Sequence, residues 1–129
     1  MIKRRKTFLS IIVLFLILGG ILIYMYYQKQ QEEENEYFSI QEQRVERFFE
    51  YNTPQYKTIT FTKRTISPTG RPRIQGFINN DKSLNFIAYV EPNNHNFEGS
   101  FGGTEKLRDM MNADLKNYSE IIREEKNER

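Results

Sequence analysis

The chain has 129 residues, a length that suits a single domain. It contains no cysteine and one histidine, which excludes disulfides, thiolate metal sites, cysteine nucleophiles and lipid-modified cysteine. Four of its 19 basic residues lie in the first six positions, and none of its 17 acidic residues precedes Glu32, so the remainder carries 15 basic against 17 acidic residues, a net charge of −2. By charge, this remainder is not predicted to bind nucleic acid.

A basic tip, residues 1–7, precedes an uncharged run, Phe8–Tyr27, whose one hydroxyl is that of Ser10. A helix of that length spans about 30 Å, the thickness of the hydrocarbon core of a bilayer. The run therefore predicts an uncleaved transmembrane signal-anchor helix at residues 8–27, with the lipid bilayer as its partner. A cleaved secretory signal is the alternative, but the run exceeds a signal core and no A-x-A-like cleavage site follows it.

Charge on the two sides of this helix predicts its orientation. The cluster Lys3–Lys6 precedes the helix, whereas only Lys29 follows it before the acidic run that begins at Glu32. The positive-inside rule therefore predicts a single-pass cell-membrane protein with a cytoplasmic N-terminus and an extracellular C-terminal domain. Residues 28–36 form an acidic spacer or a solvated extension of the anchor helix.

Residues 37–123 are predicted to form a small α+β domain, in which a helix is followed by an antiparallel sheet and a second helix. Apolar residues at helical spacing predict the first helix over Tyr37–Tyr51, before Pro54. Phe48 and Phe49 are expected to lie in the core, with an aromatic partner-binding face as the alternative.

Alternating apolar and polar residues predict strands at residues 56–66, 73–79 and 83–91. Residues 96–101 could form a short fourth strand. Short turns between them predict an antiparallel meander of three or four strands, and Gly76 suggests a bulge or close packing. Thr104 is the predicted N-cap of a second helix that runs to about Arg123, before a charged tail at 124–129 that should fray. One helical stripe is expected to face the core: Leu107, Met110, Met111, Leu115, Tyr118 and Ile122.

The sequence offers little catalytic chemistry, and the chain is predicted not to be an enzyme and to need no cofactor. His95 lies in a polar loop and is expected to be exposed. Glu91, His95 and Glu98 could meet a cation, but without a second histidine solvated loop charges are favoured. Neither the G-x-S-x-G elbow nor the phosphate-loop order is present.

A basic hairpin is the most charged feature of the predicted sheet. It brings together Lys63, Arg64, Arg71 and Arg73. These side chains could meet an acidic partner, an anionic membrane or wall polymers. They could equally be edge and turn charges that keep the hairpin from pairing with other strands.

Three segments carry a resemblance to a known family: ITFTK at Ile59–Lys63, GFINN at Gly76–Asn80 and FEG at Phe97–Gly99. Together with QRVERFF they resemble a family of small, lipoprotein-like exported proteins of Gram-positive bacteria with unknown function. Some members resemble TilA-type immunity proteins, which protect a cell from lipase toxins exported by type VII secretion. Lipoprotein members have a cysteine after the signal, which this chain lacks, so a protein anchor would replace the lipid.

The resemblance implies a membrane-anchored, extracytoplasmic immunity protein that inhibits a secreted, lipase-like toxin at the cell surface. The alternative is an accessory or structural subunit of a cell-envelope complex. The partner is expected on the exposed sheet face or on the two hairpin turns, whose predicted partner-binding residues are Thr69, Gly70, Arg71, Arg73, Asn79, Asn80, Asp81 and Lys82.

Overall fold

The computed structural model describes residues 2–128, which divide into two compact units between Tyr37 and Phe38. One helix, α1 (Ile2–Asn52), contributes residues to both units. The strands of the second unit are β1 (Ile59–Ile66), β2 (Pro72–Ile78), β3 (Asn85–Tyr89) and β4 (Phe101–Gly103). Its further helices are α2 (Glu105–Met110) and α3 (Tyr118–Asn127).

The first unit consists of helix whose apolar side chains are exposed, for example Phe8 at 65% and Leu16 at 70%. An 18-residue window of it has a mean hydropathy of 2.8 and is 0% buried. The Ser10 hydroxyl donates to the Lys6 carbonyl at 2.8 Å, so the hydroxyl within the apolar run is satisfied inside the helix. This helix is long and apolar enough to serve as a membrane anchor. The acidic residues that follow, 28–36, are also helical and exposed.

In the second unit the strands form one antiparallel sheet in the order β1-β2-β3-β4, which confirms the α+β class and the meander. On β2 and β3 buried residues alternate with half-buried or exposed ones, as expected of a sheet covered on one face. The covered face packs on α1, where Phe48 and Phe49 are 1% and 0% exposed. Both phenylalanines therefore lie in the core, as predicted.

The fourth strand begins where its predicted span of residues 96–101 ends. The Gln41 side chain accepts a hydrogen bond from the Phe97 backbone N–H at 2.7 Å and donates to Asn96 Oδ1 at 2.8 Å. Because α1 thus binds residues 96 and 97, the chain joins the ladder only at Phe101, opposite Ala88. A buried side chain from a distant helix decides this boundary, and strand propensity does not reveal it.

The predicted second helix is two helices separated by residues 111–117. Buried Asn52 binds this connection, because its Nδ2 donates to the Lys116 carbonyl and its Oδ1 accepts from the Lys116 N–H, both at 2.9 Å. Asn117 then caps α3 by accepting from the Glu120 N–H at 2.9 Å. The side chains buried on the two helices are Leu107 and Ile121, so the predicted single stripe ending at Ile122 was wrong.

The C-terminal residues predicted to fray are helical as far as Asn127. Side chains of α1 hold them, because Tyr51 donates to Glu124 and Arg47 pairs with Glu125. The Lys116 ammonium and the Tyr51 hydroxyl both bind the Glu124 carboxylate and lower its pKa. The charges of the tail suggested fraying. The residues that hold the tail lie on α1, more than 70 positions earlier in the chain, so the local sequence does not reveal them.

Gly76 combines close packing with a bulge, the two possibilities that the sequence suggested. The β1–β2 register shifts between Phe61 and Lys63, where Phe61 lies opposite Gly76. A Cβ at Gly76 would lie 2.3 Å from the Thr60 carbonyl oxygen, too close for any side chain. The bulged strand therefore requires glycine at this position on its partner.

We expect Gly76→Ala to destabilise the second unit by about 2 kcal/mol or more, because the methyl group would push β1 and β2 apart. Gly102→Ala is the matched control, since a Cβ there meets no atom within 4 Å. Denaturant unfolding of the full chain in detergent, followed by near-ultraviolet circular dichroism, measures both changes. Equal stability of the two variants would contradict the close approach seen at Gly76.

Candidate partner-binding site

The predicted partner-binding residues fall into two groups at opposite ends of β2. Residues 69–73 form and follow the β1–β2 turn, and residues 79–82 form the β2–β3 turn. A strand of the length of β2 separates its ends by about 20 Å, at about 3.3 Å per residue. The structure therefore does not bring the two groups together, and one compact ligand cannot contact both turns at once.

In the β1–β2 turn, Gly70 adopts a φ of 83° and donates its N–H to the Ser67 carbonyl at 2.8 Å. The Thr69 and Ser67 hydroxyls share a hydrogen bond of 2.8 Å. Thr69, Gly70 and Arg71 line a cleft of about 370 Å³ together with His95, which belongs to the loop after β3. His95 is exposed, as predicted. This end of the sheet thus combines turn residues with a second loop.

The β2–β3 turn uses its polar side chains to hold the turn itself. Asn79 and Asn80 adopt φ values of 56° and 55°, as the central residues of a type I′ turn do, and the Asp81 N–H closes the turn on the Ile78 carbonyl at 3.1 Å. Asn79 Oδ1 accepts from the Lys57 N–H at 2.7 Å, and its Nδ2 donates to the Gln55 carbonyl at 3.0 Å. Lys82 is exposed. Asn79 and Asn80 therefore both have clear structural roles.

Asp81 links the β2–β3 turn to α2. Its carboxylate accepts from the Ser83 hydroxyl at 2.5 Å and from the Lys106 ammonium at 2.9 Å. These contacts, with the Ser83 hydroxyl as the largest cause, lower the pKa of Asp81 to about 2. Asp81 is therefore a structural carboxylate that is ionised at neutral pH.

The sheet face turned away from α1 is here called the open face. In the register of the ladders its positions form three rows across the strands: Thr60–Phe77–Asn85, then Lys63–Gln75–Ile87–Gly102, then Thr65–Arg73–Tyr89. Each of these residues is half-buried or exposed, whereas their neighbours Ile74, Ile78, Phe86 and Ala88 on the other face are at most 1% exposed. Within residues 38–128 helices pack on the other face, where Phe48 lies on Phe101, Phe49 lies on Phe86 and Leu107 lies beside Gly103.

The apolar centre of the open face is formed by Phe77, Ile87 and Tyr89, which the sequence analysis did not single out. The signal was present, because β2 and β3 carry large apolar residues in both phases of the alternation. A strand of an antiparallel sheet with one solvated face usually carries polar residues in one phase. Gly102, at the end of the middle row, has no side chain to cover Ile87.

The four charges of the basic hairpin divide between the two faces of the sheet. Lys63 and Arg73 lie on the open face, and Arg71 lies beside it, with its guanidinium carbon 5.2 Å from the centre of the Tyr89 ring. Arg64 instead faces α1, where its Nε donates to Glu42 at 3.0 Å and its guanidinium lies over the Phe38 ring. The bulge after Phe61 shifts the alternation and moves Arg64 out of the predicted cluster.

Further clefts lie away from the open face. One, of about 510 Å³, lies between the loop at Gly99–Phe101 and the α2–α3 connection, with Met111, Ala113 and Leu115 as its apolar wall and Arg108 beside them. None of the predicted partner-binding residues lines it. Glu98, which the sequence grouped with His95 and Glu91, pairs with Arg44 at 2.7 Å and accepts from the Ser119 hydroxyl. Within the described residues no three His, Cys, Asp or Glu side chains are grouped to hold a metal ion.

The second unit is thus a four-stranded sheet that follows α1 and is followed by two short helices, and one face of the sheet is open. The chain belongs to the protein family described as "Protein of unknown function (DUF1433)", whose match covers residues 37–123. None of the curated proteins compared matches it. The solution NMR structure of a folded 79-residue fragment of Lin0334 from Listeria innocua is similar, with a TM-score of 0.58 and 32% identity over 69% of this chain and 94% of that one. The apolar helix at residues 8–27 lies outside the family match.

Because the pKa of Asp81 lies below the ordinary value of 3.8, its ionised form stabilises the fold above that pH, and the contribution disappears as the pH falls towards about 2. We expect the wild-type chain to lose stability over this interval and Asp81→Asn to lose less. Unfolding midpoints measured at about pH 5, 4, 3 and 2, from about one unit above the interval to its lower end, provide the comparison. A carboxyl resonance of Asp81 that titrates near pH 4 would contradict the contacts described.

Proposed function

We propose that this chain is a membrane-anchored, extracytoplasmic binding protein that holds a protein partner on the open face of its sheet. The observation that carries the proposal is the contrast between the two faces. One face is covered by α1, whereas Phe77, Ile87 and Tyr89 on the other remain half-buried. Large apolar side chains that neighbour one another on a surface are typical of an interaction site.

The composition of the open face supports a protein partner. Apolar and aromatic residues at its centre are flanked by polar and basic positions, among them Thr60, Lys63 and Asn85. Protein interfaces share this arrangement of an aromatic-rich centre and a polar rim. Three adjacent strands present the residues, so the surface is held in shape before the partner arrives, which reduces the entropy lost on binding.

The proposed anchor supports a role at the membrane surface. The exposed apolar residues from Phe8 to Tyr27 need an apolar environment, and the basic residues before them favour a cytoplasmic N-terminus. The family module would then lie outside the cell. Tethering would confine the open face to the surface that a lipid-degrading toxin must reach, which raises its effective concentration there.

On this basis we propose an immunity role, in which the module binds and inhibits a secreted, lipase-like toxin of type VII secretion. The segments ITFTK, GFINN and FEG resemble a family in which some members resemble TilA-type immunity proteins, and this resemblance supports the role. The matched family itself is described only as of unknown function. Catalysis by the chain itself is not part of the proposal.

An accessory subunit of a cell-envelope complex is the second candidate. The feature that favours it is the pair of small residues, Gly19 and Gly20, within the apolar helix. Small residues let a neighbouring transmembrane helix approach closely. Co-purification in detergent would separate the two candidates, because a stable membrane partner in the absence of any toxin favours the subunit.

The topology can be tested with single cysteines, because the chain has none of its own. We expect Asn94→Cys, in an exposed loop, to react with a membrane-impermeant maleimide on intact cells. Thr7→Cys, before the apolar run, should react only after the cells are opened. The reverse pattern would place the module in the cytoplasm and would contradict the proposed function.

The role of the open face can be tested by challenging a sensitive strain with the toxin encoded by neighbouring genes. We expect the wild-type chain to protect the cells. Phe77→Asp and Ile87→Asp should each weaken toxin binding by about tenfold or more and reduce protection, because each variant buries a charge at the centre of the interface. Leu115→Asp is the matched control, since Leu115 is 45% exposed and lies in the cleft away from this face.

The variants must first show wild-type unfolding midpoints, so that loss of protection reports binding rather than folding. Loss of protection in the Leu115→Asp variant alone would show that the partner binds at the cleft. Full protection by all three variants would refute binding through the open face.

A further inference from the structure

We propose that one end of the open face, formed by Thr65, Arg71, Arg73 and Tyr89 and here called the arginine end, binds a carboxylate on an extended acidic segment of the protein partner. This inference rests on the proposed partner-binding function and adds the chemistry of the group that is recognised. It is carried by two unpaired donors, by the distribution of charge across the sheet and by the apolar rows that continue from this end.

The two donors are neighbours across β1 and β2. Thr65 Oγ1 and Arg73 Nε are both buried and have no hydrogen-bond partner among the described residues. Thr65 and Arg73 lie directly opposite each other in the ladder, on the open face. Buried polar atoms are nearly always paired in folded proteins, so two unpaired ones side by side indicate a ligand that is still to come. Both groups can donate, and a carboxylate offers two acceptor oxygens.

Arg71 adds a second guanidinium at the same end. Its Nε donates to the Val90 carbonyl at 2.7 Å, and its guanidinium lies over the Tyr89 ring. Tyr89 is the neighbour of Arg73 in the ladder, so the two arginines flank one ring. The carbonyl and the ring fix the orientation of Arg71, which lowers the entropy lost when it binds a charged group.

Charge complementarity selects an acidic partner. Within the described residues neither Arg71, Arg73 nor Lys63 forms an ion pair, whereas other arginines of the second unit do. The open-face rows contain no carboxylate. Glu91 lines the cleft beside Arg71 without pairing with it. Three unpaired cations therefore share one side of a chain whose remainder has a net charge of −2.

The apolar rows favour a protein segment over the other anionic occupants. Phe77 and Ile87 lie on the same face as the arginine end and would pack against side chains of an extended segment. A phosphate polymer or a lipid headgroup is attracted to the cations but gains little from aromatic and aliphatic side chains. A second copy of this chain would bring like charges together in a symmetric face-to-face contact.

The test uses the full chain in nanodiscs of phosphatidylcholine and two fluorescent peptides, one with Glu alternating with Tyr and its twin with Gln in place of Glu. We expect the Glu peptide to bind and the Gln peptide to bind at least about tenfold more weakly, the scale of a hydrogen bond to a charged group. Arg73→Gln should weaken Glu-peptide binding by about tenfold, and Thr65→Val by about threefold. Arg73→Lys should be intermediate, because it keeps the charge but loses Nε.

Arg123→Gln, an exposed arginine on α3, is the matched control and should leave binding unchanged. Equal weakening by Arg123→Gln and Arg73→Gln would show diffuse attraction and overturn the proposal. So would equal binding of the two peptides, or no binding of either. Capture of vesicles containing phosphatidylglycerol that is lost in Arg73→Gln, without peptide binding, would assign the arginine end to the membrane. Self-association lost in Phe77→Asp would assign the face to a second copy.

The same variants separate this inference from the proposed function. If Phe77→Asp abolishes protection against the toxin while Arg73→Gln and Thr65→Val retain it, the open face binds the partner but carboxylate recognition is wrong. If none of the three affects protection, the open face is not the binding site. Loss of protection in Phe77→Asp and Arg73→Gln, with partial protection in Arg73→Lys, supports both the proposed function and carboxylate recognition.

Discussion

Packing of phenylalanine rings, edge-to-face in two pairs and tilted in a third, is the interaction on which the second unit depends. Phe48 of α1 lies 5.3 Å from Phe97, and Phe49 lies 4.6 Å from Phe86 and 5.3 Å from Phe101, measured between ring centres. These contacts join one helix to β3, β4 and the loop between them. Phe86 and Phe101 both point to the face that α1 covers, so this packing falls on one face of the sheet.

Two buried side-chain amides of α1 add hydrogen bonds to the contacts of the aromatic rings. Gln41 binds the backbone at Phe97, and Asn52 binds the connection at Lys116, so the helix holds the two irregular segments as well as the sheet. Each amide satisfies backbone groups that no strand or helix can pair. The irregular segments around residues 97 and 116 are therefore held by α1, although the sequence pattern predicted a strand and a helix there.

The sequence predicts those parts of the fold that depend on local pattern. The strand alternation, the Asn79–Asn80 turn, the Thr104 cap and the core position of Phe48 all follow from short-range rules, and each is found. The start of β4, the break before Asn117 and the ordered tail depend on contacts with α1 across more than 50 residues. An exposed sheet face was predicted, but the residues that form it were not, because the helix that packs on the sheet decides which phase of each strand is covered. The sequence pattern also did not predict that Arg64 and Lys63 lie on opposite faces in this way, because a single bulged residue reverses the alternation of β1 after Phe61.

That bulge has a further consequence at the outer edge of the sheet. The strand β1 is one of the two edge strands, and an unbroken edge can recruit strands from neighbouring molecules. The irregular register between Phe61 and Lys63, with an exposed ammonium beside it, makes such recruitment unfavourable. If the module is concentrated on a membrane as proposed, its copies collide often. The bulge and the charge on β1 would keep neighbouring copies from joining edge to edge. Each copy would then stay available for a partner.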